Sequence, residues 1–192
     1  MAYKTPTVPT IPNPIFVDAA IAEIQTQLGT VSWLTHAFGR SYIKKEMRSG
    51  NETIVPMVYK GQAEYLPVQF NDNLQAQSFF EVGTQTLNGE YDTNGINFYD
   101  VPVSLIVWAN LKKIDGVKGN SYYFAEELKR DVRQALRDST FVESRLVIDS
   151  ISEDIDAIFS EYTFTQITYQ FFTYPYVAFK FDMTLTIQEV CP

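Results

Sequence analysis

One histidine, His36, and one cysteine, Cys191, occur in the 192 residues of this chain. With so few, the common zinc constellations cannot be built within it. His36 sits in Trp33-Leu34-Thr35-His36-Ala37-Phe38, beside neither a nucleophile nor a carboxylate, and reads as a hydrogen-bonded structural histidine. Cys191 is the penultimate residue, with no histidine in its sequence context, and reads as a spectator thiol. A single thiol builds no disulfide framework, which suits a reducing compartment or indifference to redox state. The carboxylates Glu153, Asp154 and Asp156 invite a calcium or acid–base reading. Their spacing lacks the third ligand and the glycine of an EF-hand loop, and such a cluster beside a strand is usually a solvated face. Gly116 and Gly119 supply only a G-x-x-G before a helix, and there is no P-loop, dinucleotide or G-x-S-x-G motif. The expectation is a protein that is not an enzyme, holds no cofactor and no metal, and shows no metal dependence in its stability.

Charge narrows the partners. Fifteen Lys and Arg against 23 Asp and Glu give a net charge of −8, the wrong sign for a protein that grips phosphate backbones. Within that total there is an asymmetry. Arg40, Lys44, Lys45 and Arg48 are interrupted only by Glu46, whereas Asp149, Glu153, Asp154, Asp156 and Glu161 lie in a stretch with no basic residue. Either these are two ordinary charged surfaces, or they meet head to tail between copies. Arg40, Lys44, Lys45, Arg48, Glu153, Asp154 and Asp156 are therefore the candidate interface residues.

The elements that position these residues follow from periodicity. Pro6, Pro9, Pro12 and Pro14 favour an extended segment over residues 1–13, either a disordered tail in the free monomer or an arm lying along a neighbouring subunit. Residues 14–192 form one domain. Asn13 as N-cap, Pro14 at the first turn and Gly29 past the end bracket a helix over 14–28, with Val17, Ile21, Ile24 and Leu28 on one face. A second helix follows Asn120 or Ser121, with Phe124, Leu128, Val132 and Leu136 as its stripe and Glu126–Arg130 spaced as an exposed pair. Strands are expected at Thr53–Tyr59, Glu64–Phe70, Ser78–Leu87, Ile96–Asn110, Arg145–Ile151 and Tyr162–Thr173. Turns are expected at Ser49-Gly50-Asn51, Lys60-Gly61, Asn71-Asp72-Asn73, Asn88-Gly89 and Asn94-Gly95. The acidic stretch Ser152–Ser160 reads as a short helical turn. The clearest alternation is the last, Val177, Phe179, Phe181, Met183, Leu185 and Ile187 against Tyr176, Ala178, Lys180, Asp182, Thr184 and Thr186. Pro56, Pro67, Pro102 and Pro175 belong on edges, bulges or strand starts. Helix, strands, helix, strands implies an α+β fold, a mainly antiparallel twisted sheet with two amphipathic helices on one face. Aromatic strands left uncovered would offer apolar surface to another subunit. No signal peptide and no apolar run of about 20 residues is found, so a soluble intracellular chain is expected.

This texture resembles the tail-terminator and neck (head-to-tail joining) proteins of tailed bacteriophages. The matching stretches are Asn13-Pro14-Ile15-Phe16-Val17, the strand Phe98–Leu105, the helix Phe124–Leu136 and the closing strand Tyr174–Phe181. Together they extend over about residues 13–190. The resemblance implies a structural virion protein, assembled in the host cytoplasm, whose partners are copies of itself in a homo-oligomeric ring and other phage head, neck or tail proteins. It implies no membrane and no sequence-specific nucleic acid, and leaves open the passage of DNA through the ring lumen. From the residues alone two other classes compete: a small-molecule-binding or enzymatic domain with a pocket of Tyr and Trp, and an adaptor that binds a peptide by strand addition.

Overall fold

The computed structural model describes residues 6–48, 51–93, 96–139, 144–163 and 170–190. Among them the chain runs α1 (Val17–Leu28), β1 (His36–Arg48), β2 (Asn51–Gly61), β3 (Glu64–Pro67), β4 (Ala76–Val82), β5 (Thr86–Thr93) and β6 (Ile96–Asn110). It continues through α2 (Leu111–Ile114), α3 (Phe124–Arg137), β7 (Ser144–Ser152), α4 (Ile155–Ile158) and β8 (Tyr176–Val190). The eight strands form one sheet in the order β3-β2-β1-β4-β6-β8-β7, with β5 also paired to β6. All pairings are antiparallel except β1 with β4. The fold is α+β with a mostly antiparallel sheet.

Alternation decides the two faces. On β8 the odd-numbered residues from Val177 to Ile187 are buried, and they meet Val101, Val103, Leu105, Val107 and Ala109 of β6 on the same side. There they form one core with Ile21, Ile24 and Leu28 of α1 and Phe124, Leu128, Val132 and Leu136 of α3. Both amphipathic helices thus cover one face.

The other face carries a second core that the sequence reading did not anticipate. Phe38, Phe79, Ile106 and Trp108 are covered by the chain's own Ile158, Phe159, Tyr162, Phe171 and Phe172. Phe159 and Phe172 stack at 4.7 Å, and Phe70 sits edge-on to both Trp108 and Phe172. The indole N–H of Trp108 donates to the Phe171 carbonyl at 2.7 Å. The expected strand Tyr162–Thr173 is therefore corrected: Tyr162 lies in a bend, Gln170–Phe172 is a 3₁₀ turn, and 164–169 lie outside the described residues. Phe171 and Phe172 are both buried, which a strand with one wet face does not allow.

Other boundaries move for identifiable reasons. The segment Ser78–Leu87 is two strands, because the chain breaks at Gly83, whose N–H donates to the Pro102 carbonyl at 2.8 Å. Pro102 thus lies where β6 exchanges β4 for β5 as its neighbour. Asn88-Gly89 lies within β5 rather than in a turn, and both Ser49-Gly50 and Asn94-Gly95 lie outside the described residues. Helix α1 begins three residues later than expected. Asn13 (φ 50) and Phe16 (φ 51, ψ −128) adopt left-handed conformations before it, and neither caps it with its side chain. For Phe16 that geometry costs on the order of 1–3 kcal/mol.

The described part of the arm lies against its own domain. Thr7 bridges His36 in parallel, its N–H donating to Thr35 O at 2.9 Å and its carbonyl accepting from Ala37 N at 3.0 Å. Gly29 ends α1 in a right-handed conformation (φ −62), so glycine is needed there for room: a Cβ would stand 2.6 Å from Val8 Cγ2.

Candidate functional site

The basic candidates lie on β1. Strand β1 keeps β4 beside it only as far as Arg40, paired with Phe80; from Ser41 to Arg48 it pairs with β2 alone. The outer half of this hairpin presents Tyr42, Ile43 and Met47 to solvent, Met47 being 70% exposed. By alternation Ile43, Lys45 and Met47 share one face, and Tyr42, Lys44 and Glu46 the other. Charged residues on such an edge guard against uncontrolled pairing, yet exposed Ile and Met beside them favour a cover.

The hairpin is less basic than its sequence. Arg40 is half-buried, 3.8 Å from Asp18 and 5.1 Å from the centre of the Tyr42 ring, so it braces α1. Burial pushes the Asp18 carboxyl above its usual range, against the pull of Arg40. Lys44 pairs with Glu46 at 2.5 Å and Lys45 with Glu52 at 3.1 Å. The Arg48 side chain lies outside the described residues.

The acidic candidates follow β7, at the opposite edge of the sheet from β3. Glu153 pairs with Lys129 of α3, whose side chain is buried, and Lys129 also meets Glu126 at 2.5 Å. Burial works to lower the Lys129 pKa, but the two carboxylate hydrogen bonds outweigh it and leave it raised. The expected Glu126–Arg130 pair is replaced by this cluster, and Arg130 turns to Asp131 at 3.1 Å. Asp154 caps α4, accepting from Asp156 N at 3.1 Å and Ala157 N at 3.3 Å, while Asp156 is exposed. Beside Glu126 and Glu153 opens a cleft of about 690 Å³ lined by Asn120, Ser121, Tyr122, Tyr123 and Tyr174. Tyr123 is 87% exposed.

Beyond the aromatic layer the second face is polar. Asp182 accepts from Ser104 Oγ at 2.7 Å and Ser150 Oγ at 3.1 Å, with Lys180 at 3.5 Å. Asp100 accepts from Asn88 Nδ2 at 2.9 Å and Thr186 Oγ1 at 2.6 Å. At the seam between the polar and aromatic halves, Tyr162 donates to Glu81 Oε1 at 2.5 Å. Burial raises the pKa of both groups. These carboxylates hold strands together, and Glu81 and Asp182 stand in one row across β4, β6 and β8, each opposite Ser104. Among the described residues no group of three or more His, Cys, Asp and Glu is placed to hold a metal ion, and no helix is long and apolar enough to cross a membrane.

No protein-family model matches the chain, and no curated protein sequence does.

His36 opens β1 and stacks on Phe38 at 5.2 Å. Gly119 of the G-x-x-G is buried, and a Cβ there would stand 2.2 Å from Leu111 O, so it serves close packing. Cys191 lies outside the described residues. The sequence reading missed β1 as a strand, and with it the exposed Ile43 and Met47. Their one signal is alternation within Tyr42-Ile43-Lys44-Lys45-Glu46-Met47, which the consecutive charges obscure.

Proposed function

We propose that this chain is a structural subunit that assembles with copies of itself, a ring-forming neck or tail-terminator protein joining head and tail components of a tailed phage. The observation that carries the assembly reading is the outer half of the β1–β2 hairpin. There Ile43 and Met47 stand exposed on the part of β1 beyond Arg40, where β2 lies on one side and no strand lies on the other among the described residues. Covering such residues is favourable by about 25 cal/mol per Å² of apolar surface, and a free edge adds main-chain hydrogen bonds.

Placement supports a head-to-tail arrangement. The hairpin belongs to the β3-β2-β1 end of the sheet, and Glu153, Asp154 and Asp156 follow β7 at the other. Two different surfaces at opposite ends form a heterologous contact, which closes into a ring when the rotation per copy divides a full turn. The phage role rests on the resemblance of the stretches 13–17, 98–105, 124–136 and 174–181.

Sedimentation velocity on the wild type and on an Ile43→Ser/Met47→Ser variant tests this. The wild type sediments as a closed higher oligomer and the variant as a folded monomer. A variant that assembles as the wild type does removes the hairpin from the account, and a monomeric wild type at all concentrations contradicts self-assembly.

A further inference from the structure

The N-terminal arm lies in a groove between α1 and β1. Residues 6–12 are held by the Thr7 hydrogen bonds to Thr35 and Ala37, and by Gln25. The buried Gln25 amide donates to Pro9 O at 2.8 Å and to Ala37 O at 2.7 Å, clamping arm and strand together. Val8 fills the space that Gly29 leaves open. These partners all belong to residues 25–37, one continuous surface between α1 and β1. An identical arm from another copy can make the same contacts there.

The link between arm and domain is where the folded-back form is strained. Asn13 and Phe16, neither of them glycine, take left-handed φ values of 50 and 51 to turn the arm back. Between them Ile15 is 70% exposed. Extending residues 13–16 releases that strain and keeps every groove contact, the situation in which exchange between copies is favoured.

We propose that residues 6–12 are exchanged in the assembly, the arm of each copy occupying the groove between α1 and β1 of the next. This rests on the self-assembly reading above. Four extended residues reach about 13 Å, so the receiving groove must lie beside the start of the donor's α1. The exchange is head-to-tail and closes together with the ring.

Cysteine trapping tests it. In a Cys191→Ser background, Val8→Cys and Gly29→Cys place two thiols at the contact. The protein is assembled under reducing conditions, then oxidised and run on a denaturing, non-reducing gel. Assembled protein gives chains linked to one another, while dilute monomer gives links within single chains. Links confined to single chains in the assembled fraction overturn the exchange and leave self-assembly standing. Failure to assemble at any concentration overturns self-assembly and the exchange with it. A second pair of variants does not depend on the disulfide. Phe16→Gly relaxes the folded-back hinge and Phe16→Ala does not, so the midpoint concentration for assembly is higher for Gly than for Ala by about tenfold. Equal midpoints overturn the role of the hinge.

Discussion

Glu81 and Tyr162 join the two halves of the second face, and the pair should be visible in a pH series. Burial is the main reason the Glu81 carboxyl is raised above its usual value of 4.5; the Tyr162 hydrogen bond and nearby Lys180 oppose it. The native state therefore binds that proton more tightly than the unfolded chain does. This contribution to stability is fully present below about pH 4.5 and is lost as pH rises through the raised native value. Glu81→Gln does not titrate, so its melting temperature relative to the wild type should climb between pH 4 and pH 7. A difference that stays constant across that range would contradict the assignment. A neighbouring pair tests the two faces of β8. Phe181 is 0% exposed, and a carboxylate there costs several kcal/mol against a total stability of about 5 to 15. Asp182 is half-exposed and accepts from Ser104 and Ser150. Phe181→Asp should fail to fold, and Asp182→Lys should fold with a loss of about 1 to 3 kcal/mol in urea unfolding. Two cooperatively folding variants of equal stability would place the wrong face inside.

At the scale of elements, the aromatic segment over Trp108 is the part most open to challenge. Phe172 packs between Phe159 and Phe70, so Phe172→Ala should cost about 3 kcal/mol, as for a core phenylalanine. A loss under 1 kcal/mol would make this layer a loose cover rather than a second core. How much of the fold is legible in sequence varies with how local its cause is. β8 and α3 carry long, regular apolar periods, and both are found where those periods place them. The start of α1 differs because Asn13 and Pro14 look like a cap and a first turn, whereas the residue that precedes the helix is Phe16, which no propensity rule favours there. β1 was missed because its outer half is charged. It is a strand through a hairpin with β2 and a parallel pairing with β4, which lies further along the chain, and tertiary context overrides a weak strand propensity. The run Tyr169-Gln170-Phe171-Phe172 looked like a strand because its aromatics favour one; burial of consecutive rings is a property of the packed loop. Of the candidate site, the seven charged positions were readable. Their partners Asp18, Glu52 and Lys129 were not, since they depend on which elements the topology brings together.

For the whole molecule, those partners change which contacts should matter between copies. Lys44 and Lys45 already have carboxylates beside them, so reversing their charge should weaken assembly only modestly, at about 0.2 to 1 kcal/mol per pair and mainly at low salt. Light scattering across a salt series would show it, and an effect as large as that of Ile43→Ser/Met47→Ser would give the leading role back to charge. Among the acidic residues Asp156 is the clean partner to reverse, because Glu153 holds the buried Lys129 and Asp154 caps α4. The central claim is that copies of this chain close into a ring, and electron microscopy of the purified assembled protein tests it most directly. The account predicts class averages with one copy number, an open lumen, and the β1–β2 hairpin of each copy against the β7–α4 end of the next. Monomers alone, or open fibres without closure, would contradict it.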